Sequence, residues 1–100
     1  MHVHKSMLPC LPLLHSPGIK PLVVLYHWDL PQVLQDSYGG FLGSQIIEDF
    51  TYYADTAFRL FGDRVTRWLT FVEPYVICDM QYGSGQYAPG VNNGDAGRYK

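Results

Sequence analysis

The apolar positions of this chain change their spacing several times, and each change marks an element. Leu22-Val23-Val24-Leu25-Tyr26 is an unbroken apolar run, rich in β-branched residues and preceded by Pro21. Such a run predicts a strand covered on both faces, the pattern of a parallel sheet flanked by helices, whereas a half-exposed antiparallel strand alternates. It ends in His27-Trp28-Asp29. From Leu30 to Gly43 the breakers Pro31, Gly39, Gly40 and Gly43 predict a long, shaped loop. The spacing then turns helical. Ser44 is an N-cap residue type, Glu48 and Asp49 fall in the first turn where the helix dipole favours negative charge, and Ile47, Phe50, Ala54, Phe58 and Phe61 form one face. A helix of about 17 residues is expected, stopped by Gly62 as a C′ glycine, with Arg59 near its negative end. After Asp63-Arg64 a second strand pattern runs over 66–72.

Strand, crossover helix and strand make one βαβ unit, which should be parallel and right-handed. Both strands then end on the same side, so His27 and Glu73 are expected to project from one rim. Glu73 is the candidate for chemistry. A carboxylate at the end of the apolar stretch Trp68-Leu69-Thr70-Phe71-Val72 is costly unless something needs it there. Pro74 biases the residue before it toward extended backbone, which would present Glu73 at the strand end. Tyr75 to Met80 predicts the start of another helix, and the glycines, prolines and asparagines from Gly83 onward predict loop. Gly83-Ser84-Gly85 lacks the full glycine spacing and the following helix that a phosphate-binding turn requires.

Composition narrows the function classes. The chain has 100 residues, 47% hydrophobic and 16% charged, which is globular and not disordered. Its 15% aromatic content, with eight tyrosines, is more large apolar surface than so short a chain covers easily, so the core expects neighbours. A net charge of -2 without a basic patch argues against nucleic acid as a partner, and no run reaches the length of a membrane span. Residues 1–17 are proline-broken and predict an irregular lead-in. Met7 to Leu14 faintly resembles a signal peptide, but Pro9 and Pro12 interrupt it and no clear cleavage site follows, which leaves the compartment open. His2 and His4 are too few to make a metal site, and Cys10 and Cys78 form neither a disulfide framework nor a Cys-x-x-Cys site.

Several motifs occur together in order: His27-Trp28-Asp29-Leu30-Pro31-Gln32, Tyr38-Gly39-Gly40-Phe41, Phe61-Gly62-Asp63-Arg64-Val65, Trp68 to Pro74, and Tyr87-Ala88-Pro89-Gly90. Over 18–90 the chain resembles family-1 glycoside hydrolases, above all the plant β-glucosidases. The resemblance implies an α/β fold that is a piece of a (β/α)8 TIM barrel, comprising its third strand, third helix and fourth strand, and not a complete barrel. It implies retaining hydrolysis of O-glycosyl bonds in β-D-glucosides by two carboxyl groups, one acid and base, the other nucleophile. Glu73 matches the family's acid/base, His27 the histidine that bonds a sugar hydroxyl, and Trp28 beside it would shape the sugar pocket. The task of Glu73 would be to protonate the departing oxygen and then deprotonate a water, which calls for surroundings that keep the carboxyl protonated. The scheme needs no cofactor and no metal.

The chain departs from the family at three places. Val72 stands where the family has the asparagine that bonds the sugar 2-hydroxyl, an interaction that strengthens in the transition state. Val91 stands where many plant members have arginine, and the cysteines that usually follow are absent, so the loop tail 91–100 is expected to fall outside the family sequence. No Thr-Glu-Asn-Gly segment supplies a nucleophile, and Glu48, the other glutamate of the chain, falls on the helix. A whole barrel takes about 250 residues. The expectation is therefore a β-glucosidase-like segment that is silent as these 100 residues alone. The alternative is a noncatalytic remnant that binds sugar or associates with a barrel.

Overall fold

The computed structural model describes residues 20–94. The lead-in 1–17 with its faint signal-peptide pattern, His2, His4 and Cys10 lies outside the described residues, as does the end of the tail beyond Gly94. Strand β1, Leu22–Tyr26, pairs in parallel with β2, Arg67–Phe71, in the register Leu22↔Arg67, Val24↔Leu69 and Tyr26↔Phe71. The expected parallel strand-helix-strand unit is therefore present, as a two-stranded sheet and not a closed barrel.

The segment between strand and long helix is more regular than its breakers suggested. Gln32–Tyr38 forms a helix, α1, and Gly40–Leu42 a 3-10 turn, where the sequence predicted loop. The breakers flank α1 without interrupting it. Pro31 sits at its N-cap, where its missing N–H costs nothing. Gly39, at φ 81°, takes the left-handed closing position and gives its N–H to Gln35 O at 2.9 Å.

Helix α2, Ile46–Phe61, begins later than Ser44 predicted. Gln45 is the N-cap and no side chain caps the helix, because the preceding turn feeds its own carbonyls to the first amides: Ile46 N–H reaches Gly43 O at 3.2 Å and Ile47 N–H reaches Ser44 O at 3.1 Å. The buried face is also offset from the expected one. Ile46, Ala57 and Phe61 are buried, Phe50 and Ala54 partly so, while Ile47 is 69% exposed and Phe58 is exposed with its ring edge-on to Trp68 at 4.9 Å. Gly62 follows the last helical residue as expected, but with φ at -64° it closes the helix right-handedly, its N–H on Phe58 O at 2.8 Å.

Two small cores result. Leu25, Ala57, Phe61 and Val65 pack α2 onto β1, with Phe61 and Val65 fully enclosed. Burial of each such side chain contributes about 1.5–3 kcal/mol. Tyr53, from α2, also donates to Leu25 O at 2.8 Å. The second core gathers Tyr26, Ile77 and Tyr82, with Trp28, Leu30, Phe41 and Phe50 around it. The strands are less covered than their apolar run predicted: Leu25 and Tyr26 are buried, but Leu22 is 52% exposed and Leu69 and Phe71 are exposed too. Both strands are edges, and their open rows of backbone groups seek further pairing. Among the described residues no helix is long and apolar enough to cross a membrane.

Four phenols hold their protons more tightly here than in an unfolded chain. Burial is the main cause for Tyr26, Tyr53 and Tyr82, all raised above the ordinary tyrosine value. Tyr38 is pushed up to about 12, by burial first and then by its bond to the Asp49 carboxylate at 2.8 Å. Because the folded values are raised, the stability they add is complete below the unfolded value of 10.0 and is lost as pH climbs through the folded one. The melting temperature of the native gene product should fall from that pH upward, and fall less steeply in Tyr38→Phe; a midpoint that stays flat up to pH 12 would contradict the assignment. Expressed alone, residues 1–100 should show no cooperative unfolding transition in urea, given the two open edges and exposed apolar faces. A sharp, reversible transition would show that the segment is self-sufficient.

Candidate functional site

Parallel pairing fixes where the chemistry-bearing residues stand. With Tyr26 opposite Phe71, the chain leaves both strands at the same end, so His27 and Trp28 follow one strand and Val72 and Glu73 the other. Two hydrogen bonds lock this rim. Val72 N–H donates to Tyr26 O at 3.2 Å, and the indole Nε1–H of Trp28 donates to Val72 O at 3.1 Å. The backbone on both sides of the crossing is thereby satisfied.

Each strand exit passes through a left-handed residue. Trp28 has φ 69° and Glu73 φ 51°, and among the described residues they are the non-glycine positions with positive φ. Side chains adopt that region at a cost of about 1–2 kcal/mol, so such residues persist where the surroundings hold them. For Glu73 this corrects the sequence expectation. Pro74 keeps its predecessor out of the right-handed helical region, but the chain must pass from β2 into a helix at Pro74–Val76 within one residue, and the left-handed conformation makes that turn where extended backbone does not.

Glu73 is exposed, so the apolar cover expected around a strand-end carboxylate is missing on this side. Among the described residues no hydrogen bond or ion pair reaches its carboxylate. His27 is also exposed; its backbone N–H donates to Asp29 Oδ1 at 3.0 Å and its ring meets Trp28 edge-on at 5.7 Å. Trp28 is half-buried and its other neighbour is Tyr87, stacked at 5.6 Å with the planes 21° apart. The rim thus carries an imidazole, an aromatic pair and a carboxylate: hydrogen-bonding groups for hydroxyls beside flat apolar faces. Glu48 lies on α2, exposed, bonded by Gln45 Nε2 at 3.1 Å, and is no part of the rim.

Behind Glu73 the predicted helical start at Tyr75 to Met80 appears as one turn, Pro74–Val76, that widens into π-helical turns over Ile77–Gln81, with Tyr82 N–H on Ile77 O at 3.3 Å and Ser84 N–H on Asp79 O at 2.7 Å. The glycine-rich stretch that follows is loop, held by one antiparallel bridge, Ser84↔Asn92. Cys78 is a half-buried free thiol. Two rim supports escaped the sequence reading, Gln81 and the phenol of Tyr26, which meet at 3.2 Å across 55 positions of chain. No local spacing signals such a pair. The partnership of Tyr87 with Trp28 is likewise a contact of fold and not of pattern, although Tyr87 opens a motif.

The strain at Glu73 makes a prediction. Glu73→Gly, which occupies the left-handed region freely, should stabilise the native gene product by about 1 kcal/mol while deleting the carboxylate. Thermal unfolding reads it. A lowered midpoint would mean that the glutamate side chain, and not the local backbone, holds this corner.

The profile described as Glycosyl hydrolase family 1 matches residues 10–100. Beta-glucosidase 34 of Oryza sativa subsp. japonica is 56% identical over 73 residues, which are 73% of this chain and 14% of that protein. The furostanol glycoside 26-O-beta-glucosidase of Hellenia speciosa is 53% identical over 73 residues, 73% of this chain and 13% of its own length. Among solved structures, a rice β-glucosidase mutant in a covalent complex with Glc superposes with a TM-score of 0.80 at 48% identity, covering 84% of this chain and 18% of that one. The β-glucosidase of Trichoderma harzianum gives 0.72 at 42% identity, covering 76% and 16%. The chain thus spans about 14% of the length of the curated relatives it matches. These neighbours are (β/α)8 barrels, and the two-stranded unit seen here matches part of one. On a match of this length and identity, the chain belongs to glycosyl hydrolase family 1 and is β-glucosidase-like.

Proposed function

We propose that this chain supplies the acid/base half of a β-glucosidase site, as the third strand, third helix and fourth strand of the barrel. Glu73 protonates the departing glycosidic oxygen and then takes a proton from the attacking water. His27 bonds a hydroxyl of the glucosyl unit, and Trp28 walls the pocket. The second carboxyl, which forms and releases the glycosyl-enzyme in a retaining mechanism, comes from residues other than these 100. The observation that carries this reading is the rim itself. Glu73 and Trp28 stand in strained left-handed backbone at neighbouring parallel strand ends, joined through the Trp28 Nε1 to Val72 O bond at 3.1 Å. Strand ends of this kind carry the chemistry of (β/α)8 enzymes. An exposed Glu73 acquires the dry surroundings an acid needs when other barrel elements cover it. The substrate class is a β-D-glucoside; the names of the relatives span different aglycones, a furostanol in one and a benzoxazinone in another.

Val72 favours a second reading. Its backbone is fully engaged, and its side chain has no hydrogen bond to offer the sugar, so the segment also suits a noncatalytic member that binds sugar or joins a barrel without turnover. The experiment begins with the native gene product, recovered with an antibody to residues 36–64, weighed intact and assayed on aryl β-glucosides. The catalytic reading expects a mass several times 11.4 kDa and hydrolysis that drops about 10²–10⁴-fold in Glu73→Gln. Unchanged hydrolysis in that variant would overturn it. Val72→Asn separates the two readings: a gain in turnover favours an impaired enzyme, and sugar binding without turnover in both forms favours the noncatalytic one.

A further inference from the structure

Glu73 lies between two points that are both fastened to the same residue of β1. On its N-terminal side, Val72 N–H donates to the backbone oxygen of Tyr26 at 3.2 Å. On its C-terminal side, Gln81 closes the π-helical turns and its Oε1 accepts the hydroxyl of Tyr26 at 3.2 Å. Tyr26 is 4% and Gln81 1% exposed. The oxygen of Gln81 backbone in turn accepts Val91 N–H at 3.0 Å, which lays the following loop over the pair. One residue therefore grips both ends of the segment that carries the carboxylate.

A buried amide is an unfavourable choice for this place. Ile77, Tyr82, Phe41 and Phe71 surround Tyr26, and an apolar side chain of the same size would fill the space without the desolvation that a polar pair must offset. What an apolar contact lacks is direction. A hydrogen bond fixes the rotation of the helical segment about its own axis as well as its distance from the strand. With Val72 held by the sheet and Gln81 held by the phenol, the backbone at Glu73 and Pro74 is the joint that closes the span, and φ 51° is the setting observed there. π-Helical turns concentrate at functional sites for a related reason, since they displace a helix locally at some cost. Burial raises the Tyr26 pKa, so the phenol stays a donor across any ordinary pH.

We propose that the Tyr26–Gln81 hydrogen bond is a positioning device that aims the Glu73 carboxyl at the glycosidic oxygen. It rests on the reading of Glu73 as the acid. The device touches neither substrate nor reacting atom. Its loss lets the helical segment turn, and a displacement of about 1 Å at a catalytic group costs up to roughly 10²-fold in rate.

The test uses the native gene product and two β-glucosides, one with an alkyl leaving group that must be protonated and one with a dinitrophenyl leaving group that departs unaided. The readout is kcat/KM, which reports events up to cleavage of the glycosidic bond. In Tyr26→Phe and in Gln81→Met the drop should be about tenfold larger for the alkyl than for the dinitrophenyl glucoside, and the double variant should lose no more than either single one. Where Gln81→Met fails to fold, Tyr26→Phe, which deletes one oxygen, carries the comparison. Equal losses on the two substrates would reduce the pair to a structural contact and overturn the inference. Glu73→Gln run beside them keeps the two ideas apart. If it does not separate the substrates, the acid reading falls and the positioning inference with it; if it does while Tyr26→Phe does not, the positioning inference alone is wrong.

Discussion

The rest of this structure depends on the last rung of a parallel ladder, the hydrogen bond from Val72 N–H to Tyr26 O at 3.2 Å. Parallel pairing makes both strands run out at one end, and that rung decides where the run-out begins. Beyond it the chain has to leave the sheet twice within a few residues, once toward α1 and once toward the helix at Pro74. Each departure is made by a residue in left-handed backbone, Trp28 and Glu73, and the indole of the first bonds the carbonyl just before the second. The candidate groups are thus where they are because two strands had to stop together. A site assembled in this way inherits the rigidity of the sheet behind it.

Directly behind the rim stands an aromatic cluster. Tyr26, Phe41, Phe71 and Tyr82 meet edge to face, with ring centres 4.9–6.2 Å apart, and Phe50 stacks on Phe71 at 5.2 Å. Phe50 belongs to α2 and packs against both small cores, so it couples the strand-helix packing to the rim. Phe41 comes from the 3-10 turn, and its backbone N–H reaches Tyr82 OH at 3.4 Å. The segment after β1, which looks like connecting loop in the sequence, is in this way a structural part of the wall. Gly40 shows the tightness: at φ 58° it also sits where an added Cβ would press on Leu30 and on the Tyr82 hydroxyl.

The other faces of the unit are unfinished. Leu22, Leu69 and Phe71 stand open on the sheet, and a largely apolar groove of about 420 Å³ runs between β1, α1 and α2, with Leu34, Ile46 and Leu60 on its walls. A soluble fold does not leave that much apolar surface and two strand edges uncovered without neighbours to cover them. Relatives several times the length of this chain have such neighbours in the rest of a barrel.

The strands, the long helix and the parallel order were legible in the sequence because they rest on periodicity, which is local: the Leu22 to Tyr26 run, the helical spacing through Phe61 and the return to strand before Val72. The motifs around His27, Glu73 and Gly90 were legible for the same reason, as short strings at fixed spacing. Helix α1 was not, since Pro31 and Gly39 read as breakers until the structure shows them standing at its two ends. Ser44 is a cap by residue type but does not cap α2, because the turn before the helix satisfies the first amides with backbone. What the sequence by itself determined is the two strands and the long helix between them, which way they run, and that a carboxylate follows the second strand. Only the tertiary structure decided that Glu73 turns left-handed, that Trp28 reaches Val72, and that Tyr26 finds Gln81, because these depend on contacts between residues 44 to 55 positions apart, whose distances no local pattern encodes.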